Sequence, residues 1–119
     1  MPLYVDGFLL PVPKRNLAAY RRMSKAAGKV WRDHGALEYR ECAADEMKAK
    51  MAAPFTRGVK LKRGETVVFS WIVYKSRADR NRVNAKVMKD PRIAKMMKTK
   101  PPFDDKRMGW AGFKVIVAA

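Results

Sequence analysis

The sequence predicts an α+β domain ordered strand, helix, strand, strand, helix, strand, and three observations carry that reading. Leu3 to Val12, Glu65 to Tyr74 and Met108 to Val117 are short apolar runs bounded by proline, glycine or charged turns, the pattern of buried strands. Between the runs lie two segments whose apolar residues recur at helical spacing. Finally, the strands have no wet face. Along Thr66 to Tyr74, Val67, Phe69, Trp71 and Val73 point one way, while Val68, Ile72 and Tyr74, with small Ser70, point the other. A sheet with one solvated face alternates apolar with polar, so these strands need cover on both sides. The helices suffice for one side, and a second copy of the chain is the expected cover for the other. The element order is that of the ferredoxin-like fold.

Each element has its own signal. Pro11 and Pro13 end the first strand, because proline cannot continue a ladder. Lys14 to His34 reads as a long helix with Leu17, Tyr20, Ser24, Ala27, Trp31 and His34 on one stripe. Gly28 inside it costs about 1 kcal/mol relative to alanine, which points to a close packing contact. Gly35 suits a left-handed cap. Ala36 to Ala43 reads as a second strand, and its Glu38, Arg40 and Glu41 mark it as an edge. Ala44 to Lys62, with Pro54 and Gly58, reads as irregular. Arg63 and Gly64 turn the chain into the third strand. Ser76 and Asp79 form a capping box for the second helix, with Val83 and Val87 as its core pair. Asp90 and Pro91 break it and restart a short turn through Met97, before the fourth strand, Met108 to Val117.

At 119 residues the chain is one domain. It has no apolar run of about eighteen residues, so no membrane span is expected, and its N-terminus does not resemble a secretory signal. A single cysteine, Cys42, fits a reducing, cytoplasmic setting. The charge stands out: 27 Lys and Arg against 11 Asp and Glu, net +16. Such a balance suits a polyanion partner. Here the cations are spread over both helical segments rather than gathered in a tail or motif, which favours a solvated helix surface over a nucleic-acid site.

Few residues bring chemistry. One His and one Cys cannot build the usual closed zinc set, and neither a metal nor a cofactor is expected. His34 closes a helix beside a glycine, where an imidazolium favours the dipole. Cys42 reads as a small apolar residue. Asp6, inside an apolar strand, must be paired or must face a cleft; Arg107 is the expected partner. The loop Pro101 to Arg107 reads as a structural turn. If a ligand cavity exists, Tyr4, Asp6, Trp71 and Trp110 are the candidates to line it. An RNA platform would need a glycine-rich aromatic third strand. Phe69 and Trp71 keep its aromatic spacing, but its glycines and basic lead are absent.

Several segments together resemble the YbaA-like bacterial family of unknown function. They are Tyr4-Val-Asp-Gly-Phe8, Pro11-Val-Pro-Lys14, Gly35-Ala-Leu-Glu38 with Glu41-Cys42, Val67-Val-Phe-Ser-Trp71, Asn84-Ala-Lys-Val-Met88 with Asp90-Pro-Arg92, Pro102-Phe-Asp104, Lys106-Arg-Met108 and Gly112-Phe113. The resemblance implies a dimeric α+β barrel, two ferredoxin-like units packed sheet to sheet, and carries no established reaction. The wider superfamily includes small monooxygenases, an analogy of fold alone. Lys75, Asp105 and Ala111 depart from the family pattern, and the chain is more basic than its members generally are. An engineered surface is one expectation from those departures.

The expected function is that of a small cytoplasmic homodimer of unassigned biochemical role that binds a small ligand. A larger engineered assembly or scaffold, an RNA binder acting through the basic surface, and a cofactor-free monooxygenase are the alternatives.

Overall fold

The computed structural model describes residues 2–48, 55 and 58–119. The chain forms β1 (Tyr4–Pro13), α1 (Leu17–Asp33), β2 (Glu38–Ala43), β3 (Glu65–Tyr74), α2 (Arg77–Met88), α3 (Pro91–Met96) and β4 (Gly109–Lys114). The strands make one antiparallel sheet in the order β2-β3-β1-β4, the ferredoxin-like topology. β2 lies at one edge as its charges predict, and β4 at the other. Within the irregular segment, Lys50, Met51 and Pro54 lie outside the described residues.

Local signals account for the boundaries. Ser76 accepts the Asp79 backbone N–H at 3.1 Å and caps α2. Asp90 caps α3 by accepting from the Arg92 N–H, with Pro91 in the first turn. Gly35 adopts φ 116°, a left-handed value open to glycine. Several boundaries differ from the sequence reading. The prolines do not stop β1, since Pro11 faces Val67 and Pro13 faces Glu65 in the ladder. β2 begins at Glu38 rather than Ala36, and β4 at Gly109 rather than Met108. The first helical segment opens as a 3-10 turn, Lys14–Asn16, because no side chain caps its orphan N–H groups. β4 ends at Lys114, which pairs with Tyr4, the first residue of β1. One more bond follows, Val115 N–H to Leu3 C=O at 3.0 Å. The apolar Ile116 and Val117 then run on exposed, with no strand beside them.

The ladder register sorts the sheet into two faces. Phe8, Leu10, Val12, Val68, Ile72 and Tyr74 share the face covered by helix. Ile72 and Tyr74 pack with Val30, Ala36, Val83, Val87 and Ile93 in one core cluster, and Leu10, Val12 and Val68 with Tyr20 in another. The opposite face carries Val5, Leu9, Phe69, Trp71, Val73 and Phe113. Phe69 is 42% exposed and Phe113 55%, and the ring of Phe55 lies edge-on to Phe69. Among the described residues no helix is long and apolar enough to cross a membrane.

Candidate ligand-binding site

Asp6 shows what the sheet does with a carboxylate on its helix face. It is 2% exposed and meets the Arg80 guanidinium of α2 at 3.3 Å. Arg107 is not its partner. That side chain instead forms a two-pronged ion pair with Glu65, at 2.7 and 2.9 Å. Glu65 opens β3, whereas Asp6 lies seven residues along β1 from Pro13, which pairs with Glu65. The register therefore places the two acids far apart, and each takes the cation its own neighbourhood supplies.

Burial pushes the Asp6 carboxyl above its ordinary range, and the Arg80 charge pulls against that. Arg80 lies over the rings of Tyr4 and Trp110, at 5.0 and 5.7 Å from their centroids. Next to it the Asn84 side-chain oxygen accepts from Trp31 Nε1 at 3.0 Å and from the Tyr74 hydroxyl at 3.2 Å. Tyr4, Asp6 and Trp110 thus converge, with a guanidinium filling the space between them. Trp71 does not join them, because it pairs with Gly7 and points to the opposite face.

The open space is elsewhere. A groove of about 810 Å³ runs between α1 and β2, within the range of small-molecule sites, about 300–1,000 Å³. Its apolar walls include Leu17, Ala18, Leu37, Ala43 and Val68. At Gly28 the helix touches the strand: an added Cβ would sit 2.7 Å from the Tyr39 ring. That contact is the reason for glycine within α1.

A second carboxylate marks this groove. Glu41 accepts the Tyr20 hydroxyl at 2.7 Å through Oε1 and the Tyr39 hydroxyl at 2.8 Å through Oε2. Burial and the Glu41 charge push both phenols well above their ordinary range, so both stay protonated and donate. The buried Ser24 hydroxyl beside them has no hydrogen-bond partner. Along the helix edge of the groove stand Arg21, Lys25 and Arg32, spaced by four and seven residues and so on one stripe. Arg32 donates to the Ala36 and Leu37 carbonyls. Arg21 and Lys25 form no ion pair among the described residues.

The remaining candidates are placed plainly. His34 Nε2 lies 2.7 Å from Asp90 Oδ2, and Arg92 holds the Asp90 carboxyl well below the usual range. Cys42 is partly buried and pairs with Phe69, on the sheet face away from the helices. Among the described residues no group of three or more His, Cys, Asp or Glu is placed to hold a metal ion. Sequence reasoning missed Glu41, Tyr20 and Tyr39 as one cluster. The available signal was alternation: Tyr39 and Glu41 are two apart on a strand, hence on one face.

Comparison with known proteins fits this architecture. A solved structure from Nitrosomonas europaea, a proposed antibiotic biosynthesis monooxygenase, superposes with a TM-score of 0.62 at 11% identity, over 96% of this chain and 90% of its own. A dimeric ferredoxin-like protein from an uncultured marine organism gives 0.57 at 13% identity over the whole of both chains. At these identities the likeness shows the fold. In sequence, the uncharacterized protein YbaA of Escherichia coli K12 is 40% identical over 114 residues, 96% of this chain and 97% of its own. Residues 3–105 match the model of a protein family of unknown function, DUF1428. With most of its length matched by that model and a close relative along nearly the whole chain, this protein belongs to the DUF1428 family, of which it is a YbaA-like member.

Proposed function

We propose that this chain is a homodimeric protein that binds a small organic molecule in the groove between α1 and β2. The observation that carries the reading is the groove itself: about 810 Å³ of open space with apolar walls, and a carboxylate held, among the described residues, by neutral hydroxyls alone. Binding sites of small molecules combine such walls with a few placed polar groups. Tyr4, Asp6, Trp110 and Arg80 serve as the rigid support of the neighbouring sheet, and Trp71 belongs to the dimer face. One cysteine suits a reducing, cytoplasmic setting.

The dimer reading is supported by the uncovered sheet face. Exposed Phe55 and Phe69 and half-buried Trp71 form an aromatic run with ring centroids 5.6 and 5.4 Å apart, flanked by Val5, Leu9 and Phe113. The charges that β2 contributes to this face, Glu38 and Arg40, neutralise each other at 2.7 Å. An apolar, nearly uncharged face suits a second copy of itself better than a phosphate backbone, which needs unpaired cations.

Light scattering after size exclusion in high salt tests the dimer; about twice the 13.6 kDa chain mass is expected. Phe69→Asp should yield a folded monomer. A monomer in the unmodified protein, binding oligouridylate with a steep salt dependence, would put the RNA reading in its place. For the groove, the neutral apolar dye phenylnaphthylamine should fluoresce on binding, and Ala18→Trp, at an exposed wall position, should abolish that signal while leaving the dimer intact.

A further inference from the structure

We infer that the molecule taken by the α1–β2 groove is an apolar acid, an aryl or alkyl carboxylate, sulfonate or phosphate monoester, whose anionic end sits at the helix edge against Arg21 and Lys25. The inference rests on the groove being the binding site and adds the chemical class. It follows from how the charges around the groove are already used.

Four cations and two carboxylates line it: Arg21, Lys25, Arg32 and Arg40, with Glu38 and Glu41. Arg40 and Glu38 satisfy each other. Arg32 spends its guanidinium on two backbone carbonyls at the end of α1. Glu41 takes two hydroxyl donors and no cation among the described residues. Arg21 and Lys25, one turn apart, are therefore the cations left without a counter-charge. None of residues 49–54, 56 and 57 is an acid that could supply one. Two adjacent cations on one helix face repel each other, and an anion between them relieves that.

Polarity runs across the groove as well as along its edge. The strand side carries the Glu41 charge, which repels an acid, so an anionic head is directed to the helix side. The walls between, Leu17, Ala18, Leu37 and Val68, suit a hydrocarbon or ring body. A free inorganic anion would leave those walls wet, and a neutral hydrocarbon would leave the two cations unmet. An apolar acid satisfies both.

Two dyes that differ by one acidic group test this: anilinonaphthalene sulfonate and its neutral counterpart phenylnaphthylamine. The sulfonate should bind at least about tenfold tighter. Reversing both charges, Arg21→Glu with Lys25→Glu, should reduce or invert that preference and leave the neutral dye within about twofold. A control reversal away from the groove, Lys86→Glu with Lys89→Glu, should leave the preference within about twofold, which separates a local effect from the net +16. Circular dichroism checks that each variant folds. If Ala18→Trp abolishes binding of both dyes yet the groove reversal leaves their ratio unchanged, the groove stands and the acid assignment falls. If Ala18→Trp changes neither dye, the groove reading fails, and the acid assignment with it. A preference lost equally in both reversals reports only net charge and also overturns the assignment.

Discussion

Asp6 and Glu41 are two carboxylates on the same face of one sheet, and their surroundings solve the same problem differently. Asp6, on a central strand, is met by a guanidinium that lies over two aromatic rings and fills the available volume. Glu41, on an edge strand, is met by two phenol hydroxyls, Tyr20 from α1 and Tyr39 from its own strand, and the groove beside it stays open. A counter-ion neutralises charge and occupies space; neutral donors stabilise charge and occupy little. The contrast explains why the cluster that carries Tyr4, Asp6 and Trp110 is closed while the groove beside Glu41 is not.

The largest expected effect breaks the closed side. Arg80→Met leaves Asp6 buried without its cation, and removing one partner of a buried pair costs about 3–5 kcal/mol. The Asp6 carboxyl is already raised by burial and would rise further. A raised carboxyl binds its proton more readily folded than unfolded, so the loss should be greatest near neutral pH and shrink as pH falls. Urea denaturation at several pH values reads this directly, and adding Asp6→Asn to Arg80→Met should recover much of the loss. A loss independent of pH would mean that Arg80 acts through its packing on Tyr4 and Trp110.

An intermediate effect lies at the junction of the open side. In a free helix Gly28→Ala gains about 1 kcal/mol. Here the new Cβ meets the Tyr39 ring at 2.7 Å, and overpacking costs about 1–3 kcal/mol. Net destabilisation of about 1 kcal/mol is expected, with the Tyr39 ring displaced from Glu41. A stabilised variant would mean that the helix can lift off the strand, and that the groove widens with it.

The smallest effect concerns Glu65, which the paired nitrogens of Arg107 hold at a pKa of about 2. A lowered carboxyl stabilises the fold above its unfolded value and loses that contribution as pH falls toward 2. Glu65→Gln should therefore lower stability modestly at neutral pH and flatten the acid limb between the ordinary carboxylate range and pH 2. An acid limb that stays as steep would assign it to Asp33 and Asp90, which Arg92 also lowers.

The difference between the two carboxylates also marks how far the sequence could be read. The elements were legible because each has a local cause: the bounded apolar run Thr66–Tyr74, the Ser76 cap, Gly35 after α1. The tight contact at Gly28 was legible as a need for glycine, though not that Tyr39 imposes it. Asp6 was legible as a carboxylate needing a partner, but Arg80 is 74 positions away, and only the packing of α2 on the sheet selects it over Arg107. The groove had no local signature. It is a space left between α1 and an edge strand, and a space is a property of packing. β4 was read three residues too far at its C-terminal end because its sequence stays apolar beyond the point where β1 can pair with it.

If the proposed dimer and the proposed anion site both hold, a cationic helix layer and a nearly neutral sheet face would couple the two to the same solvent variable with opposite signs. Bringing two +16 chains together costs repulsion that counter-ions screen over about 10 Å in ordinary buffer, so added salt tightens pairing through the apolar face. The same ions compete for Arg21 and Lys25, so added salt loosens the hold on an anion. On those two proposals, ionic strength would separate occupancy from assembly, and an assay buffer would set the balance between them.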